Sequence, residues 1–130
     1  MAHQWFYALV GNDQGRDPWL DEGIASWAEA RAEGTLAAFR DKPIPVAARA
    51  RTGRPMTFWD AHRTWYYRGV YVQTVQALAA LGPAEQVDCA LRGYVAANAY
   101  GVARPADLIS ALIMSFPDAA TVLGRYGITR

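Results

Sequence analysis

A chain of 130 residues is long enough to bury one core but short of a complete two-lobed enzyme domain, so one domain over 1–130 is expected. Apolar residues make up 52%, charged residues 19%, and the net charge is +1, a balance that leaves no electrostatic footprint for nucleic acid or an anionic membrane. No apolar run reaches the roughly 18 residues of a transmembrane helix, and the single cysteine, Cys89, excludes an internal disulfide or a Cys-based zinc cluster.

Taken in order, residues 2–9 (AHQWFYAL) read as the tail of a helix stopped by Gly11 and Asn12. A polar turn follows over 12–17. Asp17-Pro18 then offers an N-cap with proline at the first helical position. Leu20, Ile24, Trp27 and Ala28 keep helical spacing, and the helix is expected to run to about Phe39 with a kink or interruption at Gly34.

Residues 41–56 carry three prolines and no periodicity, and predict a loop long enough to suggest function. After an aromatic-rich approach over 57–65, the stretch from Tyr66 to Leu81 is apolar nearly all round and predicts a central, buried helix. Gly82-Pro83 closes it and opens another helix over 83–98, with Val87, Ala90, Leu91, Tyr94 and Val95 on one stripe. Arg104-Pro105 and Pro117-Asp118 each start a further helix, facing Leu108, Ile109, Leu112 and Ile113, then Val122 and Leu123, inward. No strand-like alternation is evident. The expectation is an all-α array of five or six helices.

Chemistry concentrates at the start. Eighteen residues separate His3 in AHQWF from Glu22 in PWLDEGIASWAE. Alone, a histidine beside Trp5 and Phe6 reads as a packing residue, and a glutamate in a first helical turn is explained by the helix dipole. Jointly, the two segments resemble the zinc-site region of the aminopeptidase N family of gluzincin metallopeptidases. That family reads H-E-x-x-H and, eighteen residues on, a glutamate in a W-L-N/D-E-G context. The resemblance implies that His3 and Glu22 are zinc ligands. It also implies a fold like the C-terminal helical lobe of a thermolysin-like metallopeptidase domain.

The match begins inside the motif, since Met1 and Ala2 occupy the two positions before His3. The first histidine and the general-base glutamate are expected to be encoded upstream of this start. A peptidase zinc takes three protein ligands and an open position for water, so the chain alone is expected to be inactive.

Tyr66-Tyr67-Arg68-Gly69 resembles the Y-x-K-G element of the same family, with arginine for lysine. The resemblance assigns Tyr66 the donation of its phenol to the oxyanion of the tetrahedral intermediate, against a plain reading of the pair as core aromatics. Tyr67, one residue on, leaves the register open.

Ser26 lies one turn after Glu22, where it either supports the ligand or bonds its own helix. His62 is expected in a packing or surface role, with substitute ligation as its alternative, and Cys89 on the partly exposed side of its helix. The implied function is a fragment of a zinc-dependent peptidase acting on peptide substrates. The alternative is a non-catalytic helical binding or assembly module that self-associates through uncovered apolar surface.

Overall fold

The structure, a computed structural model, describes residues 8–129. Its helices are α1 (Pro18–Glu33), α2 (Leu36–Arg40), α3 (Met56–Asp60), α4 (Arg63–Tyr66), α5 (Gln73–Ala79), α6 (Ala84–Asn98), α7 (Pro105–Ile113) and α8 (Ala119–Gly124). Between α4 and α5 the chain stays helical but widens into a π segment, Tyr67–Val72, so 63–79 is one continuous rod. The class is all-α, as the periodicity predicts.

α1 stops where the sequence places a break. Gly34 takes the left-handed conformation, with φ 70°, and α2 restarts two residues later. Glycine meets that conformation without the penalty a Cβ would impose. Residues 8 and 9 are helical and the helix ends before Gly11, in line with the expected stop.

Residues 57–65, expected as an approach to the central helix, carry α3 and α4 instead, and a short sheet is present that the sequence did not predict. Gly11–Asn12 (β1) and Val102–Ala103 (β2) pair in parallel, Gly11 opposite Val102 and Asn12 opposite Ala103. Strands of two residues are too short to show any alternation, which is why the pattern was silent. The pairing ties the entry to α1 to the segment that follows α6.

The rod 63–79 is central. Gly69, Val70, Val72, Gln73, Thr74, Val75, Ala77 and Leu78 are buried. Trp19, Trp27, Trp59, Ile24, Leu108, Leu112, Leu123 and Ile128 fill the core around it.

The loop before α3 is fastened by glutamines of this rod. Gln73 Nε2 donates to the Ala48 carbonyl at 3.0 Å, and Gln73 Oε1 accepts from the Ala50 amide at 3.0 Å. Gln76 Nε2 donates to the carbonyls of Phe39 and Lys42 at 3.0 and 2.8 Å. A non-periodic segment must find partners for its backbone groups somewhere, and here they come from side chains of the buried rod.

Candidate functional site

α1 opens on Asp17 and Pro18 as expected, but the Asp17 side chain makes no capping bond. The turn is held by other groups: the Asp17 amide donates to the Asp13 carbonyl at 2.7 Å, and Asn12 Nδ2 donates to the Asp17 carbonyl at 2.9 Å. Burial pushes the Asp17 carboxyl above its usual range, Arg16 opposes that shift and Asp13 adds to it. The turn closes over the helix start through Gln14 Nε2, which donates to Asp21 Oδ2 at 3.0 Å. It is fixed to α3 by the Met56 amide donating to the Gly15 carbonyl at 2.9 Å.

Two glycines near the candidate side chains make close contacts. Gly23, directly after Glu22, lies against the Thr74 side chain so closely that a Cβ would collide with it. Gly69, three residues after Tyr66, lies in the same way against the Trp59 ring, whose Nε1 donates to the Arg54 carbonyl at 3.0 Å. Glycine is required at both places for close approach. Gly23 thus lets α1 pack backbone-near the rod, and Gly69 lets Trp59 of α3 lie against it.

The result is a cavity of about 270 Å³ lined by Gln14, Gly15, Pro18, Glu22, Met56 and Tyr66. Glu22 and Tyr66, each half-buried, come from α1 and from the end of α4. Burial, reinforced by the negative charge of Glu22, pushes the Tyr66 phenol up from its ordinary value, against a smaller lowering by the hydrogen bond it shares with Tyr71. The phenol is thereby kept protonated, the state in which it can donate a hydrogen bond.

The two tyrosines of the pair lie in different surroundings. Tyr66 faces the cavity, whereas Tyr67 is exposed and its hydroxyl accepts from Lys42 Nζ at 3.0 Å. Arg68, in the lysine place of the motif, points elsewhere and donates to the Pro43 carbonyl at 2.7 Å.

His3 lies outside the described residues. Ser26 Oγ donates to the Glu22 backbone carbonyl at 2.7 Å, so its hydroxyl serves the helix and not the carboxylate. His62 stacks between Phe58 and Trp65, with ring centroids 4.3 and 5.4 Å away, and its Nδ1 bonds the Phe58 carbonyl at 2.7 Å. This is the packing role expected of it. Cys89 is exposed on α6.

Sequence reasoning missed Gln14 and, more consequentially, Tyr71. The Tyr71 hydroxyl is hydrogen-bonded to the Glu22 carboxylate and to the Tyr66 phenol, and burial followed by the charge of Glu22 pushes it far above the usual phenol range. No helical periodicity pairs residues five apart, so only the π segment could have announced this contact.

Among the described residues no three His, Cys, Asp or Glu side chains form a metal-binding group. Glu22 is the one described member of the expected ligand pair. It lines the same cavity as the Tyr66 phenol, and a carboxylate is among the oxygen ligands zinc takes. In comparisons with known proteins, no family model, no curated protein and no solved structure matches the chain.

Proposed function

We propose that this chain carries part of a zinc-dependent peptidase centre, with Glu22 and His3 as metal ligands and Tyr66 as the donor to the oxyanion of a peptide substrate. The observation that carries the reading is the meeting of Glu22 and Tyr66. Two separate motifs single them out, and they line one cavity. His3 enters from its motif alone.

Bound zinc would polarise the scissile carbonyl and lower the pKa of its water. Glu22 offers carboxylate oxygens to such an ion. Tyr66, held protonated by burial and by Glu22, presents a neutral O–H to charge developing on the substrate oxygen. The 130 residues contain no H-E-x-x-H, so neither the first histidine ligand nor the motif's general base is among them. A missing base alone is worth roughly 10²–10⁴ in rate. The chain on its own is therefore expected to bind zinc weakly and to hydrolyse no peptide.

The test is calorimetric titration of the purified chain with zinc, beside Glu22→Gln and His3→Ala, together with a peptide-hydrolysis assay. The reading expects weak binding that both variants lose, and no hydrolysis. Zinc binding indifferent to Glu22→Gln would remove the site, and zinc-dependent hydrolysis by the chain alone would remove the inactivity.

One observation favours the assembly module as a second reading. A cavity of about 360 Å³ between α1 and α6 is lined chiefly by Ile24, Trp27, Ala28, Leu91, Val95 and Ala96. Its floor is pinned by Asp88, which accepts from Trp27 Nε1 at 2.8 Å and Arg31 Nε at 2.9 Å. An apolar groove on a rigid floor suits a second copy or a partner helix. Light scattering would show concentration-dependent association that Ala96→Glu abolishes; a monomer at all concentrations counts against self-association.

A further inference from the structure

The two side chains that define the cavity do not hold themselves in place. Glu22 has rotatable bonds enough to leave the wall, and Tyr66 sits where α4 gives way to the π segment. Five residues along an ordinary α-helix, a side chain has turned about 140° away, onto another face. Tyr71 is five residues after Tyr66, and α-helical spacing would carry it out of reach.

The π segment Tyr67–Val72 changes that. Its i→i+5 pattern widens the turn by one residue and brings position i+5 back beneath position i. Tyr71 accordingly meets Tyr66 edge to face, with centroids 5.5 Å apart and planes at 86°. Its other neighbour is the Tyr67 ring at 5.6 Å, itself tied to Lys42. Tyr66 has Trp59 on its far side at 5.9 Å. The Tyr71 ring is thus clamped by rings, and its hydroxyl bonds both Glu22 and Tyr66.

Packing alone does not account for that hydroxyl. A half-buried phenol loses hydration that a phenylalanine at the same place would not need, and the ring contacts would survive the exchange. What the hydroxyl adds is convergence. A protonated phenol must donate to an ionised carboxylate, which has only acceptors. The bond therefore fixes Glu22 on the side where Tyr66 stands.

We propose that Tyr71 is the positioning residue of this site, its hydroxyl holding the Glu22 carboxylate and the Tyr66 phenol in one arrangement that the π turn makes reachable. The inference rests on the zinc-peptidase reading for its purpose, but the contact itself is independent of any metal. Tyr71 touches no substrate in this scheme; it acts through its two neighbours.

The experiment compares the whole chain with Tyr71→Phe and, as control, Tyr67→Phe, whose hydroxyl bonds Lys42 instead. The first readout is the ¹³Cδ resonance of Glu22 without metal. It moves in Tyr71→Phe and stays in Tyr67→Phe if Tyr71 holds the carboxylate; an unmoved resonance overturns the proposal. The second is zinc affinity by titration, expected about 10–100-fold weaker in Tyr71→Phe, the usual effect of losing a hydrogen bond to a ligating side chain. Equal affinity also overturns it. Tyr71→Phe is expected to melt with the parent chain, and a variant that fails to fold overturns the proposal in favour of a structural role. A parent chain that takes up no zinc at any concentration defeats the peptidase reading, while the Glu22 resonance still decides Tyr71.

Discussion

Gly23 and Thr74 touch without room for a methyl group: a Cβ at position 23 would collide with the Thr74 side chain, itself fully buried. This contact sets how near α1 lies to α5, and so where Glu22, the residue before it, emerges. The glycine of the W-L-D-E-G segment thus has a packing reason in this chain. Gly23→Ala is expected to destabilise the fold by about 1–3 kcal/mol, the usual range for an inserted carbon in a close-packed interior. Urea unfolding checks it. Thr74→Ala should recover part of the loss in the double variant, since the two positions share one contact.

Gly69 plays the same part toward Trp59, but its neighbour is less able to yield. The indole is buried and its Nε1 is committed to the Arg54 carbonyl. Gly69→Ala is expected to cost at least as much as Gly23→Ala and to shift the tryptophan fluorescence as the ring is displaced. An unchanged midpoint and spectrum would mean that the rod can slide without consequence.

Gln73 shows how the long loop is kept. Its amide bonds the Ala48 carbonyl, the Gly69 carbonyl and the Ala50 amide while almost wholly buried. Gln73→Met keeps the volume and removes all three bonds, leaving the Ala48 and Gly69 carbonyls without that donor. A loss of about 1–3 kcal/mol is expected, together with faster proteolysis between residues 46 and 54. Equal protease resistance would show that the loop is held by other contacts.

Tyr66, Tyr71 and Tyr94 are all pushed above the ordinary phenol value, burial being the largest cause in each. In the unfolded chain they release protons near pH 10, whereas the folded chain retains them to higher pH. The folded state binds more protons in that window, so stability falls as pH rises past about 10 and is fully present below it. Absorbance at 295 nm should show these phenols ionising late, with unfolding. A titration in which all tyrosines ionise together near their free value, with the fold intact, would contradict this.

Much of the fold was legible because it rests on local rules. Proline marks the starts of α1, α6 and α7, and glycine the end of α1. The 3.6-residue spacing identifies the buried faces, down to Leu108, Ile109 and Leu112 of α7, all buried. Glu22 and Tyr66 were reachable through short motifs, each of which also contains a glycine held in a close contact, Gly23 against Thr74 and Gly69 against Trp59.

The rest is tertiary. The parallel pairing of Gly11–Asn12 with Val102–Ala103 joins segments far apart in the chain through backbone groups, which carry no residue signature. The register of Tyr66 against Tyr67 depended on which phenol the rod turns toward α1. Tyr71 entered the site only because a π turn replaces α geometry there. By itself the sequence determined an all-α chain, the starts of α1, α6 and α7, and two residues worth watching. Only the tertiary structure decided that those two share a cavity and that a third, Tyr71, bonds them both, because spacing along a chain specifies faces, whereas a site is made by what those faces meet.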